Sequence, residues 1–206
     1  YIDLIESAGL KISLDTQGAQ IRLGEIAGVR ELSVGDDIGF CGTNKISSQS
    51  HFFSINHSEL FSQIQPGCKF RIDFDGAVVL IKNVDSQLLC ATGTVISAGT
   101  IRSNRAIDVV NYPIKLSALT DFDEFSIRRY SSCSEALFIS FTNSAEDIFR
   151  VREILKDLSL SKENTPKIIA KIESKKGIYN LESILPLVDG VLIDRGDLSR
   201  EISISH

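Results

Sequence analysis

The chain is predicted to be an α/β protein whose parallel sheet is interrupted by an all-β insert. Three observations predict it. Apolar runs alternate with helical patterns after Pro113, the texture between Gly24 and Asn111 changes to short β-branched runs, and the late apolar runs end in charge. The divisions fall at 1–23 for a first sheet segment, 24–111 for the β insert and 112–206 for the rest of the sheet.

Leu10 to Asp15 alternates apolar and polar residues as a half-buried strand does, and Thr16 to Gly18 breaks the pattern, so a strand ends at Asp15. Turn signals then recur at Val34-Gly35-Asp36, Pro66-Gly67, Asp75-Gly76, Asp85-Ser86 and Ser97-Ala98-Gly99, an interval that indicates a small barrel or sandwich. Thr120-Asp121-Phe122-Asp123 and Ser144-Ala145-Glu146-Asp147 are capping-box patterns opening two helices. In the second, Ile148, Val151, Leu155 and Leu158 form one apolar stripe. The run Ala136 to Phe141 precedes that helix, Lys167 to Ile172 follows it, and Val191 to Ile193 follows a further helical spacer. The order β-α-β-α-β calls for a parallel sheet.

The 206 residues include 43% hydrophobic and 24% charged, enough apolar surface for one or two cores and a poor match to disorder. A net charge of -5 without a basic block offers no footprint for nucleic acid. No apolar run reaches the eighteen or so residues of a membrane span, and no basic segment followed by an apolar stretch opens the chain. A cytoplasmic protein is expected. Cys41, Cys68, Cys90 and Cys133 are scattered without metal-ligand spacing and read as buried thiols of a reducing compartment. His51, His57 and His206 have no partner pattern and read as surface or incidental residues. Tyr1 is not an initiator and the chain has no methionine, so a longer natural protein is expected.

Charge at strand ends carries the chemistry. Lys171 and Glu173 are two apart and share a strand face, and Asp197 follows the next strand. Strand ends of a parallel sheet converge on one crevice, where a cation beside two carboxylates suits divalent-metal and phosphoryl chemistry. Gly196, between Arg195 and Asp197, lets a backbone N–H approach an anion closely.

Lys167-Ile168-Ile169-Ala170-Lys171-Ile172-Glu173-Ser174, followed by Asp189-Gly190-Val191-Leu192-Ile193-Asp194-Arg195-Gly196-Asp197-Leu198, resembles the motif pair that pyruvate kinases carry on consecutive barrel strands. Ser13 to Arg22 resembles that family's LDTKGPEIR segment, Asp73-Phe74-Asp75-Gly76 its small-domain DDG turn, and Ile139-Ser140-Phe141 its ASF strand end. The four occur in the family's order. The resemblance implies a (β/α)8 TIM-type barrel, of which this chain holds the third to sixth strands, with the small β domain inserted after the third and closing as a lid. It also implies phosphate transfer from phosphoenolpyruvate to ADP, giving pyruvate and ATP. By position, Glu173 and Asp197 would hold Mg2+ (or Mn2+), and Lys171 would lie against the transferring phosphoryl group. Asp15 and Thr16 would hold K+, Gly196 and Ser140 would meet the substrate, and Arg22 and Asp75 the nucleotide. A homo-oligomer, a tetramer in the family, is implied as well.

Departures from the family pattern leave two further readings open, a metal-dependent 2-oxo-acid lyase or aldolase and an inactive regulatory paralogue. Gln17 and Ala19 replace a lysine and a proline, Phe122 stands for a lysine, and Ser199-Arg200 replaces a glycine and an aliphatic residue. Asp194 stands for an alanine and is expected to face the substrate's carbon end. Two like unit charges about 5 Å apart repel by roughly 3 kcal/mol at an effective dielectric near 20.

Overall fold

The computed structural model describes residues 5, 7–42, 51–73, 76–110 and 112–199. The chain forms two units, Tyr1–Ala19 with Ser117–His206, and Gln20–Leu116.

The first unit is built on β1 (Ile12–Asp15) and three strands that follow the insert. The insert itself carries β2 (Arg30–Leu32), β3 (Asp37–Gly42), β4 (Phe52–Ile55), β5 (Lys69–Ile72), β6 (Val78–Asp85), β7 (Cys90–Ser97), β8 (Gly99–Ile101) and β9 (Ile107–Val110). After it come α1 (Asp121–Tyr130), β10 (Ser134–Ile139), α2 (Ala145–Asp157), β11 (Lys167–Ile172), α3 (Lys175–Tyr179), α4 (Leu181–Ile184), β12 (Gly190–Ile193) and α5 (Arg195–Leu198). The strands of the first unit pair in the order β1-β10-β11-β12, all parallel. Four successive parallel strands with helical crossovers are half of a (β/α)8 barrel, as the sequence predicted.

Both expected capping boxes form. Thr120 accepts the Asp123 N–H while the Asp123 carboxylate accepts the Thr120 N–H, and Ser144 and Asp147 repeat the exchange at α2. The apolar stripe of α2, with Ile148, Val151 and Ile154 fully buried, packs with Leu137, Ile139, Ile168, Ala170 and Ile172 of the sheet. Those residues occupy alternate positions, so the opposite face of the strands carries Asp15, Phe138, Ile169 and Lys171. On that face β12 leaves Leu192, in register with Lys171, exposed.

The second unit is a six-stranded sheet of order β4-β3-β7-β6-β5-β9 beside the pair β2-β8. Its core centres on Phe40, Phe70 and Phe53, with the Phe40 and Phe70 rings 5.1 Å apart. The segment 21–24 bonds to both outer strands. Leu23 N–H reaches Arg105 O and Ile107 N–H reaches Ile21 O on the β9 side, while Gly24 N–H donates to Ser54 O and Asn56 N–H to Arg22 O on the β4 side. One segment thus closes the sheet into a barrel. The division drawn from texture at 23/24 lies inside this unit because Ile21 and Leu23 are part of its core, and the division at 111/112 does so because Tyr112, Ile114 and Leu116 pack against that core.

Several local expectations are corrected. The strand of the Ala136 run ends at Ile139, because Phe141 takes a left-handed φ of 51° that no extended strand permits. His57 is buried and its Nδ1 lies 2.8 Å from Glu59 Oε1, so it is a structural residue of the β unit, whereas His51 is exposed. Cys41 and Cys68 are buried, but Cys90 and Cys133 are only half-buried. His206 and Asp75 lie outside the described residues. Among the described residues no helix is long and apolar enough to cross a membrane.

Candidate functional site

Register brings the charged residues to one edge. Asp15 pairs with Phe138, Ile139 with Ala170, and Lys171 with Leu192, so Asp15, Ser140, Lys171, Glu173 and Asp194 all stand at the carboxyl ends of parallel strands. Lys171 is the hub. Its Nζ lies 3.1 and 3.2 Å from the two Asp15 carboxylate oxygens, 3.0 Å from Ser140 Oγ and 3.3 Å from Glu173 Oε1. The lysine side chain is 13% exposed and that of Asp15 62%, so the ammonium is held from a buried side by Glu173 and from an open side by Asp15.

Two close approaches fix this edge. Ser140 N–H donates to Thr16 Oγ1 at 2.9 Å, and Ser140 Oγ donates to Asp15 Oδ1 at 3.0 Å, which ties β10 to the end of β1. Gly18 has φ of +69°, and a Cβ there would meet Ser140 O at 2.3 Å, so only glycine lets this loop cross the end of β10. The loop is anchored by Asp123, whose carboxylate accepts the N–H groups of Gln17 (2.7 Å), Gly18 (3.1 Å) and Thr120 (2.9 Å). Glu173, 3% exposed, accepts the Phe141 N–H at 2.6 Å.

Charge balance follows from these partners. Burial opposes the Lys171 ammonium, but Glu173 and Asp15 outweigh it and raise its pKa above the ordinary lysine value. Burial, reinforced by Asp197, raises the Glu173 pKa despite the opposing Phe141 N–H and Lys171.

Glu173, Asp194 and Asp197 can each bring a carboxylate oxygen within 4.8 Å of the others. A convergent set of hard oxygen donors that includes the buried Glu173 carboxylate fits a divalent ion such as Mg2+ or Mn2+. Asp15, Thr16 and Ser140 supply oxygens at the neighbouring strand ends, the donor type a monovalent cation takes. Asp194 adds more than repulsion. It is the N-cap of α5, accepting the N–H of Gly196 at 2.9 Å and of Asp197 at 3.4 Å. The Gly196 N–H expected to meet a substrate carboxylate is thus bonded to Asp194, and a substrate would have to replace that bond.

Among the other expected residues, Arg22 lies in the β unit, where its Nη1 donates to Asn104 O at 3.0 Å. Phe122 is 63% exposed on the first turn of α1. Gln17 Oε1 accepts from Thr120 Oγ1 at 3.4 Å. Sequence reading missed three contributors: the left-handed Phe141 N–H, the Asp123 anchor, whose only signal was its place in a capping box, and the inclusion of Asp194 in the acidic group.

A half (β/α)8 barrel with a β insert after its first strand here carries a lysine and four carboxylates, Asp15, Glu173, Asp194 and Asp197, at or just beyond its strand ends. The family model for the pyruvate kinase barrel domain matches residues 4–206. Pyruvate kinase of Clostridium perfringens is 35% identical over 98% of this chain and 42% of its own length, and that of Schizosaccharomyces pombe is 31% identical over 96% and 39%. The crystal structure of Cryptosporidium parvum pyruvate kinase superposes with a TM-score of 0.82 at 24% identity, covering 98% of this chain and 44% of that one. The chain belongs to the pyruvate kinase family. It spans about two-fifths of the length of the curated relatives it matches.

Proposed function

We propose that the full-length protein is a cytoplasmic phosphotransferase that moves phosphate from phosphoenolpyruvate to ADP, giving pyruvate and ATP. The observation that carries this reading is the Lys171 ammonium held by Glu173, Asp15 and Ser140 at the strand ends, beside the Glu173, Asp194 and Asp197 carboxylates.

In this reading Glu173 and Asp197, with Asp194 alongside, would hold Mg2+ or Mn2+, Asp15 and Thr16 would hold K+, and Ser140 and Gly196 would meet the substrate. When bound, the divalent ion supplies Lewis-acid polarisation and neutralises substrate charge. Lys171 stabilises the negative charge spread over the phosphoryl oxygens while the bond to the enol oxygen breaks and the bond to ADP forms. Its three partner residues, Asp15, Ser140 and Glu173, hold the ammonium in place beforehand, so little reorganisation is needed during transfer. Thr16 and Ser140 keep neighbouring strand ends in register. Arg22 and Asp75 would bind the nucleotide, and the β unit would act as its lid. A homo-oligomeric whole protein completes the reading.

The test is pyruvate release from phosphoenolpyruvate and ADP by the full-length protein with magnesium and potassium, beside Lys171→Ala. Turnover that falls by about 10²-fold or more in the variant is expected, the scale of losing one preorganised charge donor. Absence of turnover in the unaltered protein would overturn phosphotransfer.

A further inference from the structure

The outward face of the β unit's sheet carries two cysteines directly opposite one another. β3 and β7 run antiparallel with Cys41 opposite Cys90. Gly42 N–H donates to Leu89 O at 3.0 Å, and Val95 N–H donates to Asp36 O at 2.9 Å. Hydrogen-bonded and open pairs alternate along such a ladder, so Asp37–Thr94, Gly39–Thr92 and Cys41–Cys90 are the open ones. Open pairs have Cα atoms about 4.5 Å apart and side chains on one face, inside the range of about 4.4–6.8 Å that a disulfide spans. Side chains at these pairs do touch: Thr94 Oγ1 donates to Asp37 Oδ1 at 2.7 Å. Core residues Phe40 and Ala91 occupy the intervening positions, which places both cysteines on the opposite face.

Neither cysteine is in a disulfide. Their exposure differs in a useful way. Cys90 is half-buried and follows the turn 86–89, while Cys41 is buried with its Sγ 3.7 Å from Phe53 O. The outer thiol can meet a reagent and the inner one can resolve it.

We propose that Cys41 and Cys90 are a reversible oxidation site, closed by thiol–disulfide exchange with a low-molecular-weight disulfide. The Cys90 thiolate attacks the reagent's S–S bond, forming a mixed disulfide and releasing one thiolate. The Cys41 thiolate then attacks the Cys90 sulfur and releases the second. Two protein thiols are oxidised, one reagent disulfide is reduced to two thiols, and protons leave with them. The new bond ties β3 to β7 across a loop containing β4, β5 and β6, and so restricts the unfolded chain.

The full-chain protein would be incubated with oxidised glutathione, alkylated and digested, and its melting temperature followed. Expected are the loss of two titratable thiols, a Cys41–Cys90 linked peptide, and a melting temperature higher by about 5 °C, all reversed by dithiothreitol. Cys90→Ser should show no shift, and Cys41→Ala should stop at a glutathione adduct on Cys90. Unchanged thiols, a link through Cys68 or Cys133, or a lasting glutathione adduct on Cys90 in the unaltered protein would overturn the proposal.

Discussion

The Glu173 carboxylate accepts the backbone N–H of Phe141 at 2.6 Å, and Phe141 holds a φ of 51°. An acid at the end of β11 therefore holds the end of β10 in a left-handed conformation that costs about 1–3 kcal/mol for a bulky residue. The strain sits where the two strand ends meet at Lys171.

Glu173→Ala is expected to destabilise the protein by about 2–3 kcal/mol, because it removes a charge-assisted acceptor and leaves Lys171 with one fewer buried partner. Glu173→Gln keeps an acceptor for Phe141 and should cost less than half of that. Both should lose Mn2+ binding. Urea unfolding and Mn2+ paramagnetic resonance measure the two effects separately.

The raised pKa values of Lys171 and Glu173 have the same sign of effect in two pH windows. The stability from ionised Lys171 is complete below its unfolded pKa of about 10.4 and is lost as pH rises through the higher folded value. Glu173 binds its proton more tightly folded than unfolded, so its contribution is present below the ordinary carboxylate range and fades as pH rises through the raised folded value. Lys171→Met should flatten the alkaline fall in melting temperature, and Glu173→Gln, without divalent ions, the acid-side slope. Parallel curves for variants and unaltered protein would count against both assignments.

Asp194 has a capping role and a charge role that substitution can separate. Asp194→Asn keeps an N-cap acceptor for Gly196 and should leave stability within about 0.5 kcal/mol, while Asp194→Ala should cost about 1 kcal/mol. Both should weaken Mn2+ binding about tenfold, equivalent to ~1.4 kcal/mol. Unchanged affinity in the asparagine variant would leave Asp194 a cap alone.

Gly18→Ala combines a left-handed penalty of about 1–2 kcal/mol with a Cβ 2.3 Å from Ser140 O. The loop must move off β10, which also breaks the Gln17 and Gly18 bonds to Asp123. A loss of at least 2 kcal/mol in urea unfolding is expected, with weaker K+ dependence of turnover in the full-length protein.

Much of the sheet unit was legible because its signals are local. Thr120 with Asp123 and Ser144 with Asp147 announce helix starts, and Lys167–Ile172 is a strand from end to end. Lys171 and Glu173 were legible because a two-residue spacing fixes a shared face, and they do meet, at 3.3 Å. Long-range pairing was not legible. Nothing in the residues 21–24 signals that they bond to strands on both sides, and nothing in Ile139-Ser140-Phe141 signals a left-handed residue held by an acid from another strand. The alanine-to-aspartate departure at 194 could be read as a misplaced charge, but its capping bonds depend on where α5 begins.

Asp123 gathers the N–H groups of residues 17, 18 and 120 at one carboxylate. The places where the chain leaves the sheet unit and returns to it are therefore pinned together from within that unit. Such a clasp makes the β module an interchangeable cassette: exchanging Gln20–Leu116 for a short glycine linker should leave β1 in register with β10, and evolution could remodel the insert without renegotiating the sheet.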